Sequence, residues 1–235
     1  MQKGDRIYFV IAGLFISVLL ITNVVGTKLF QPFGLTIDLA GNEQALLLTS
    51  GIIAYPITFF MTDLVSEIYG KKRADFMVIL GFCFSLILMG FINLVSILPT
   101  PNAEFQEAYK TVFSSTFRLI FGSMLAYTIA QLNDNYLFHY IRRLTKGKHL
   151  WLRNTASTAT SQLLDTATVN TIFFYNNPAT AAFVPNEDII IVIIANYIFK
   201  FLIAMTDTPF VYIAVFYLRK YLGLKGYEHY ESQRA

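Results

Sequence analysis

The chain has 235 residues, of which 55% are hydrophobic, 16% aromatic and only 14% charged, well below the charge of about 25% that a water-soluble domain carries. Its net charge of +3 is small, a single cysteine (Cys83) excludes an intrachain disulfide, and no phosphate-cradling loop or nucleic-acid motif occurs. The composition is that of an integral membrane protein.

A helix that crosses about 30 Å of hydrocarbon needs about 20 residues. Six stretches qualify: Ile7 to Thr27, Ala45 to Tyr69, Ala74 to Leu98, Phe117 to Ile141, Leu152 to Tyr175 and Asp188 to Leu218. The first is too long for a signal-peptide core and lacks a small-residue cleavage site, so it reads as a retained helix. Residues 30–42, with Pro32, Gly34 and Gly41, read as a loop. After the third span, Pro99 and Pro101 stop the helix, and a short amphipathic surface helix capped at Asn102 follows. The sixth stretch is too long for one straight crossing, and Pro209 should break it after Thr208. Together these give an all-α bundle of six transmembrane helices, one domain over residues 1–235.

Lysine and arginine set the expected orientation. Lys3 and Arg6, then Lys71, Lys72 and Arg73, then Arg142, Arg143, Lys146, Lys148 and Arg153, then Arg219, Lys220, Lys225 and Arg234 all fall on one side. The opposite loops carry mainly acids, such as Asp38, Glu43, Glu104, Glu107 and Glu187. Both termini are therefore expected in the cytoplasm.

An acid at membrane depth costs roughly 2.5–3.5 kcal/mol on insertion scales, so each one needs a reason. Asp63 and Glu67 lie one turn apart on the second helix, just before Gly70 and three consecutive cations. They read either as an anchor paired with Lys71, Lys72 and Arg73, or as gating or ion-coupling groups. On the fourth helix, Gly122, Ala126 and Ala130 form a small-residue ridge suited to close packing within the bundle or to a homodimer. Asp134 beyond it is placed to neutralise Arg142 or Arg143. The fifth helix is too polar to face lipid, with Asn154, Thr158, Ser161, Asp165 and Thr168 on one stripe. On the sixth, Asn196, Lys200 and Asp207 share a stripe, and Lys200 comes to about the same depth as Asp165. That pair reads either as a buried ion pair locking two helices or as charges that also meet a polar ligand. Asn23, in the first helix, reads as a helix–helix hydrogen bond or as a ligand contact. No metal-ligand spacing occurs among His139, His149 and His229.

Residues 54–74 (AYPITFFMTDLVSEIYGKKRA), 126–131 (AYTIAQ) leading to Leu137 and His139, 151–165 (WLRNTASTATSQLLD), and Lys200 through Asp207 to Pro209 together resemble the queuosine-precursor transporter family. The resemblance runs from Asn23 to Tyr217. It implies a fold related to the substrate-binding S components of energy-coupling-factor vitamin transporters. It also implies import of a 7-deazaguanine base (queuine or its cyano or aminomethyl precursors) for tRNA-modification salvage, with no cofactor. For such a base, a carboxylate can accept the ring N–H and exocyclic amine together, and an amide can serve the carbonyl. Asp165 with Gln162, one turn apart, fits this, with Lys200 beside them. Asn23 or Asn196 would complete the ring edge, Tyr55, Tyr127 or Phe174 would stack on it, and Asp63 or Glu67 would suit a cationic aminomethyl arm.

No Walker sequence is present, so any ATP dependence must come from a separate energising module, the rival reading being a binding subunit docked on one. An enzyme reading, an intramembrane aspartyl protease using Asp63 and Asp207, lacks the Tyr-Asp or Gly-x-Gly-Asp setting such enzymes use. Small-molecule base and membrane lipid are the expected partners, and nucleic acid is not.

Overall fold

The computed structural model describes residues 2–25, 28–34, 36–39, 42–45, 48–113, 117–176, 186–224 and 228–230. Helices dominate: α1 (Lys3–Val25), α2 (Tyr55–Tyr69), α3 (Lys71–Ile97), α4 (Ala103–Phe113), α5 (Phe117–Leu144), α6 (Leu150–Phe174), α7 (Ile189–Met205) and α8 (Asp207–Leu222). Between α1 and α2, strands β1 (Leu29–Phe30), β2 (Thr36–Leu39), β3 (Asn42–Ala45) and β4 (Leu48–Thr49) form two antiparallel ladders, β1 with β4 and β2 with β3. The loop expected over residues 30–42 is thus partly a hairpin, in which Thr36 pairs with Ala45 and Leu39 with Asn42.

The molecule exposes many large apolar residues and buries polar ones beside its apolar core. On α1, Tyr8, Ala12, Phe15, Leu19 and Thr22 recur every three or four residues and point inward, while Phe9, Val10, Leu14 and Ile21 face out. On α3, Met77, Val78, Gly81, Ser85 and Met89 face in, and Phe76, Ile79, Ile87, Phe91 and Leu94 face out. On α6 the inward face is almost wholly polar, from Arg153 and Asn154 to Asp165 and Asn170. A water-soluble fold would reverse this pattern, because large apolar side chains left in water cost about 1.5–3 kcal/mol each relative to burial. Helices α1 and α3 are long and apolar enough to cross a membrane. The chain is a helical membrane bundle.

Three expectations need correction or refinement. The second span was expected from Ala45, but α2 starts at Tyr55 and has 15 residues, about 22 Å of helix. Ser50–Ile53 is a 3₁₀ turn, and Ser50 donates its backbone N–H to Lys28 at 2.8 Å, continuing the β1–β4 pairing. Pro56, in the first turn of α2, explains the late start: its missing N–H is harmless there but would break a helix interior. The break in the sixth stretch falls at Thr206, not after Thr208, which leaves Pro209 in the first turn of α8 for the same reason. The surface helix appears as α4, with the Phe105 N–H donated to the Asn102 side chain at 3.0 Å.

Helix α2 is the hub, packing against α1, α3, α5 and α8. Its Phe59, Leu64, Val65, Ile68 and Tyr69 join Phe15, Met77, Val78, Val211 and Val215 in one core. Two seams depend on missing side chains. A Cβ on Gly81 would come within 2.8 Å of Leu19 and 2.9 Å of Phe15, and one on Gly122 within 2.6 Å of the Ile172 Cγ2. The small-residue ridge of α5 therefore packs inside the bundle against α6 at Gly122, with Ala126 and Ala130 buried beyond it.

Gly122→Ala should lower the thermal midpoint in detergent by an amount equivalent to about 1–3 kcal/mol, the range for overpacking. Gly90→Ala, where nothing lies within 4 Å of the added Cβ, should be neutral or gain about 0.5–1 kcal/mol from helix propensity. Thermal unfolding of both variants beside the parent checks this.

Candidate functional site

The short helix α2 carries Asp63 and Glu67 into the bundle interior, only 2% and 1% exposed. Glu67 is enclosed by three guanidinium groups from three helices. Arg153 of α6 lies 2.6 Å from Oε2 and Arg142 of α5 3.5 Å from it, while Arg219 of α8 donates to Oε1 at 2.9 Å. Arg219 also donates to the Glu67 carbonyl at 3.3 Å. Arg153, almost fully buried, lies over the Phe138 ring at 5.0 Å and reaches the Gly147 carbonyl at 3.3 Å. The expected partners Lys71, Lys72 and Arg73 do not take this role. Gly70, at φ +90°, ends α2 and turns the chain, so these cations open α3 on a new axis. There Lys71 pairs with Asp75, and Arg73 pairs with Asp5 at 3.5 Å and lies over the rings of Tyr8 and Tyr69.

The end of the chain closes over this cluster. The His229 Nδ1 lies 3.2 Å from an Arg142 nitrogen, the His139 ring is 5.8 Å away, and Arg219 donates to the Glu228 carbonyl. Tyr230 packs edge-on against Tyr69, covers Gly4, and donates its hydroxyl to Gln2 at 2.9 Å. Burial and the neighbouring Arg142 charge hold the His229 pKa down to about 4.

Between α2 and α5 runs a polar ladder whose rungs are four residues apart on both helices. The Thr62 hydroxyl donates to Gln131 at 3.1 Å, and the Ser66 hydroxyl to Asn135 at 2.8 Å. Gln131 passes on to the Tyr127 hydroxyl at 2.9 Å, and Asn135 to Asp75 at 2.9 Å. Asp134 was expected to neutralise Arg142 or Arg143. Instead it lies against Asp63 and the Ser157, Thr158 and Ser161 hydroxyls of α6, while Arg142, about 12 Å further along the helix, serves Glu67.

Deeper along α6, Asp165 meets Lys200 of α7 at 2.8 Å, with Asp165 fully buried and the Lys200 side chain 12% exposed. One turn before Asp165, the Gln162 Oε1 is buried with no hydrogen-bond partner among the described residues, as is the Thr166 hydroxyl four residues further on. Gln162 and Thr166 lie beside the stripe of Asn154, Thr158, Ser161, Asp165 and Thr168 that the sequence suggested. Two other candidates are engaged elsewhere. The Asn23 amide donates to Ser85 at 2.9 Å, a bond between α1 and α3, and the Asn196 amide donates to the Val192 carbonyl of its own helix at 3.0 Å. The side chains of Tyr55 and Asp207 lie outside the described residues. Among the described residues, no His, Cys, Asp and Glu gather in a group able to hold a metal. The three-arginine cage and the α2–α5 ladder were not anticipated. The one signal for the ladder was the shared four-residue spacing of Thr62 with Ser66 and Gln131 with Asn135.

A family model described as a putative vitamin uptake transporter matches residues 49–214, a span that holds both polar clusters except Arg219 and the chain end. A probable queuosine precursor transporter of Bacillus subtilis (strain 168) is 32% identical over 207 residues, covering 86% of this chain and 83% of its own. The chain belongs to the queuosine-precursor transporter family. Other relatives are a probable queuosine precursor transporter of Haemophilus influenzae, 28% identical over 62% of each chain, and a queuosine precursor transporter of Escherichia coli (strain K12), 27% identical over 67% of each. No solved structure matches the chain. Asp63, Glu67, Asp134, Arg153, Asp165 and Lys200 of this family member all lie inside the matched region.

Glu67→Ala leaves buried guanidinium groups uncompensated and should cost about 3–5 kcal/mol, as breaking buried pairs does; thermal unfolding in detergent measures it. Stability should also depend on His229. Its folded pKa of about 4 lies below the unfolded value of about 6.5, so the unfolded chain binds the proton more readily. Its contribution is present above pH 6.5 and is lost as pH falls towards 4. A thermal midpoint that declines across this window, less steeply in His229→Asn, is the expected result.

Proposed function

We propose that this chain imports 7-deazaguanine precursors of queuosine across the cytoplasmic membrane, with its basic end and both termini in the cytoplasm. The observation that carries the reading is the buried Asp165–Lys200 pair with the open Gln162 carbonyl oxygen one turn away. A guanine-like edge presents a ring N–H, an exocyclic amine and a carbonyl oxygen side by side. The Asp165 carboxylate accepts the two N–H groups, the Lys200 ammonium donates to the carbonyl, and the Gln162 oxygen accepts a further N–H. Asp165 and Lys200 neutralise each other, which lowers the cost of keeping each from water. The base then exchanges one set of charge-assisted hydrogen bonds for another. The relatives' names support the substrate class, and the positive-inside pattern supports the orientation. Six membrane passages, with α7 and α8 as one interrupted passage, and an S-component-like arrangement belong to the same proposal. Transport proceeds by alternating exposure of the seat between the helices. Glu67, held by three arginines, and Asp63, beside Asp134, stay outside the seat.

Binding raises the thermal midpoint by mass action. Titration of the purified protein with 7-cyano-7-deazaguanine should show this shift, and adenine should not. Asp165→Asn and Gln162→Ala should each weaken binding about 10–100-fold, the loss of one or two buried hydrogen bonds to a ligand. Unchanged affinity in both variants would refute the seat. Uptake into liposomes holding this protein alone separates an autonomous importer from a binding subunit that needs an ATP-driven module.

A further inference from the structure

Helices α1 and α8 both pack on the hub helix α2. Between them lies a groove of about 350 Å³, open to the outside of the bundle. Ile7 and Ile11 of α1 form one wall, Ala214, Leu218 and Tyr221 of α8 the other, and the buried Leu64 of α2 the floor. The Lys3 Nζ lies 6.0 Å from the Tyr221 ring centre, so the start of α1 meets the end of α8 and both walls reach the basic end of the bundle. From Ala214 to Tyr221 the groove is about 10 Å long, within the roughly 15 Å of hydrocarbon that one leaflet supplies. Its lining is almost wholly apolar, so water gains no hydrogen bonds there. A hydrocarbon chain lying along the two walls gains dispersion contact with both.

A cation stands at the end of this groove. Lys3 is exposed and falls on the same stripe of α1 as Ile7 and Ile11, four residues apart. Among the described residues it has no acid partner. Asp5, the nearest acid in sequence, pairs with Arg73 of α3 at 3.5 Å, and Asp75 with Lys71. Lys220, exposed and next to Tyr221, adds a second positive charge. An apolar channel of single-leaflet length that ends at an unpaired ammonium matches a molecule with a hydrocarbon chain and an anionic head.

We propose that this groove binds one acyl chain of an anionic phospholipid, whose phosphate pairs with Lys3 at the basic end of the bundle. The site lies on the outer face, apart from the base seat, and rests only on the chain being a membrane bundle. A second copy of the chain, inserted the same way up, would bring another basic end beside Lys3 and Lys220, and like charges disfavour it. Leu64 lies three residues before Glu67 on α2, so the lipid chain packs on the helix that holds the arginine cage and stabilises the bundle by mass action.

The test offers the full chain, purified in detergent, equal amounts of phosphatidylglycerol and phosphatidylcholine with identical acyl chains. Native mass spectrometry should show phosphatidylglycerol retained about 5-fold more, the share of one basic side chain near an anionic headgroup. Lys3→Gln should bring the two lipids level, and Lys3→Arg should keep the preference. Ala214→Phe, which fills the groove, should lose the retained lipid, its thermal midpoint showing that it is folded. A measurement on the parent protein needs no variant: in phosphatidylcholine liposomes, phosphatidylglycerol with a photoreactive acyl chain should cross-link to α1 and α8 at the groove. The proposal is overturned if the parent retains both lipids equally, if Lys3→Gln keeps the full preference, or if the cross-links spread evenly over the apolar face of α3 as well. Disulfides between Leu218→Cys copies, mapped to that position, would assign the groove to a second copy and overturn it too.

Discussion

Everything at the basic end of the bundle depends on one carboxylate kept from water. Glu67 on the hub helix holds guanidinium groups from α5, α6 and α8, so a single side chain ties four helices together. Such a pairing contributes little net stability over an apolar core, since desolvating each charge costs several kcal/mol. What it imposes is arrangement: the three arginines can satisfy Glu67 only if their helices meet it at one depth. The turn at Gly70 and the cover of His229 and Tyr230 follow from the same need to seal charges off from lipid and water.

Above that cage lie further buried polar groups on α2, α5 and α6. The α2–α5 ladder closes its own hydrogen bonds. The Gln162 carbonyl oxygen and the Thr166 hydroxyl have no hydrogen-bond partner among the described residues, and Asp165 pairs with Lys200. Buried polar groups left unpaired cost about 1–3 kcal/mol each. In the proposed reading the Glu67 end is scaffold and the stretch around Asp165 is the working part.

Apolar packing supports this division. Gly81 and Gly122 let α1 meet α3 and α5 meet α6 at distances that a methyl group would prevent. Close backbone approach is the main source of helix affinity where lipid offers no hydrophobic drive. These seams flank the polar interior and hold it narrow.

Composition and hydropathy alone determined that the chain is a membrane bundle, where most helices lie, that Asn102 caps a surface helix, and that Asp165 and Lys200 share a depth. Those properties are local, set by one helix's length, pitch and end signals. The family, too, was legible in contiguous segments. Partner choice was not. Asp63, Glu67 and Asp134 each have nearby cations in sequence, yet Glu67 reached arginines 75, 86 and 152 residues away, and Asp134 reached another acid. Asn23 and Asn196 gave no sign of whether they would bond protein or ligand. Which charges meet depends on how helices far apart in the chain rotate about their axes when they pack, and that rotation is decided by all the seams at once.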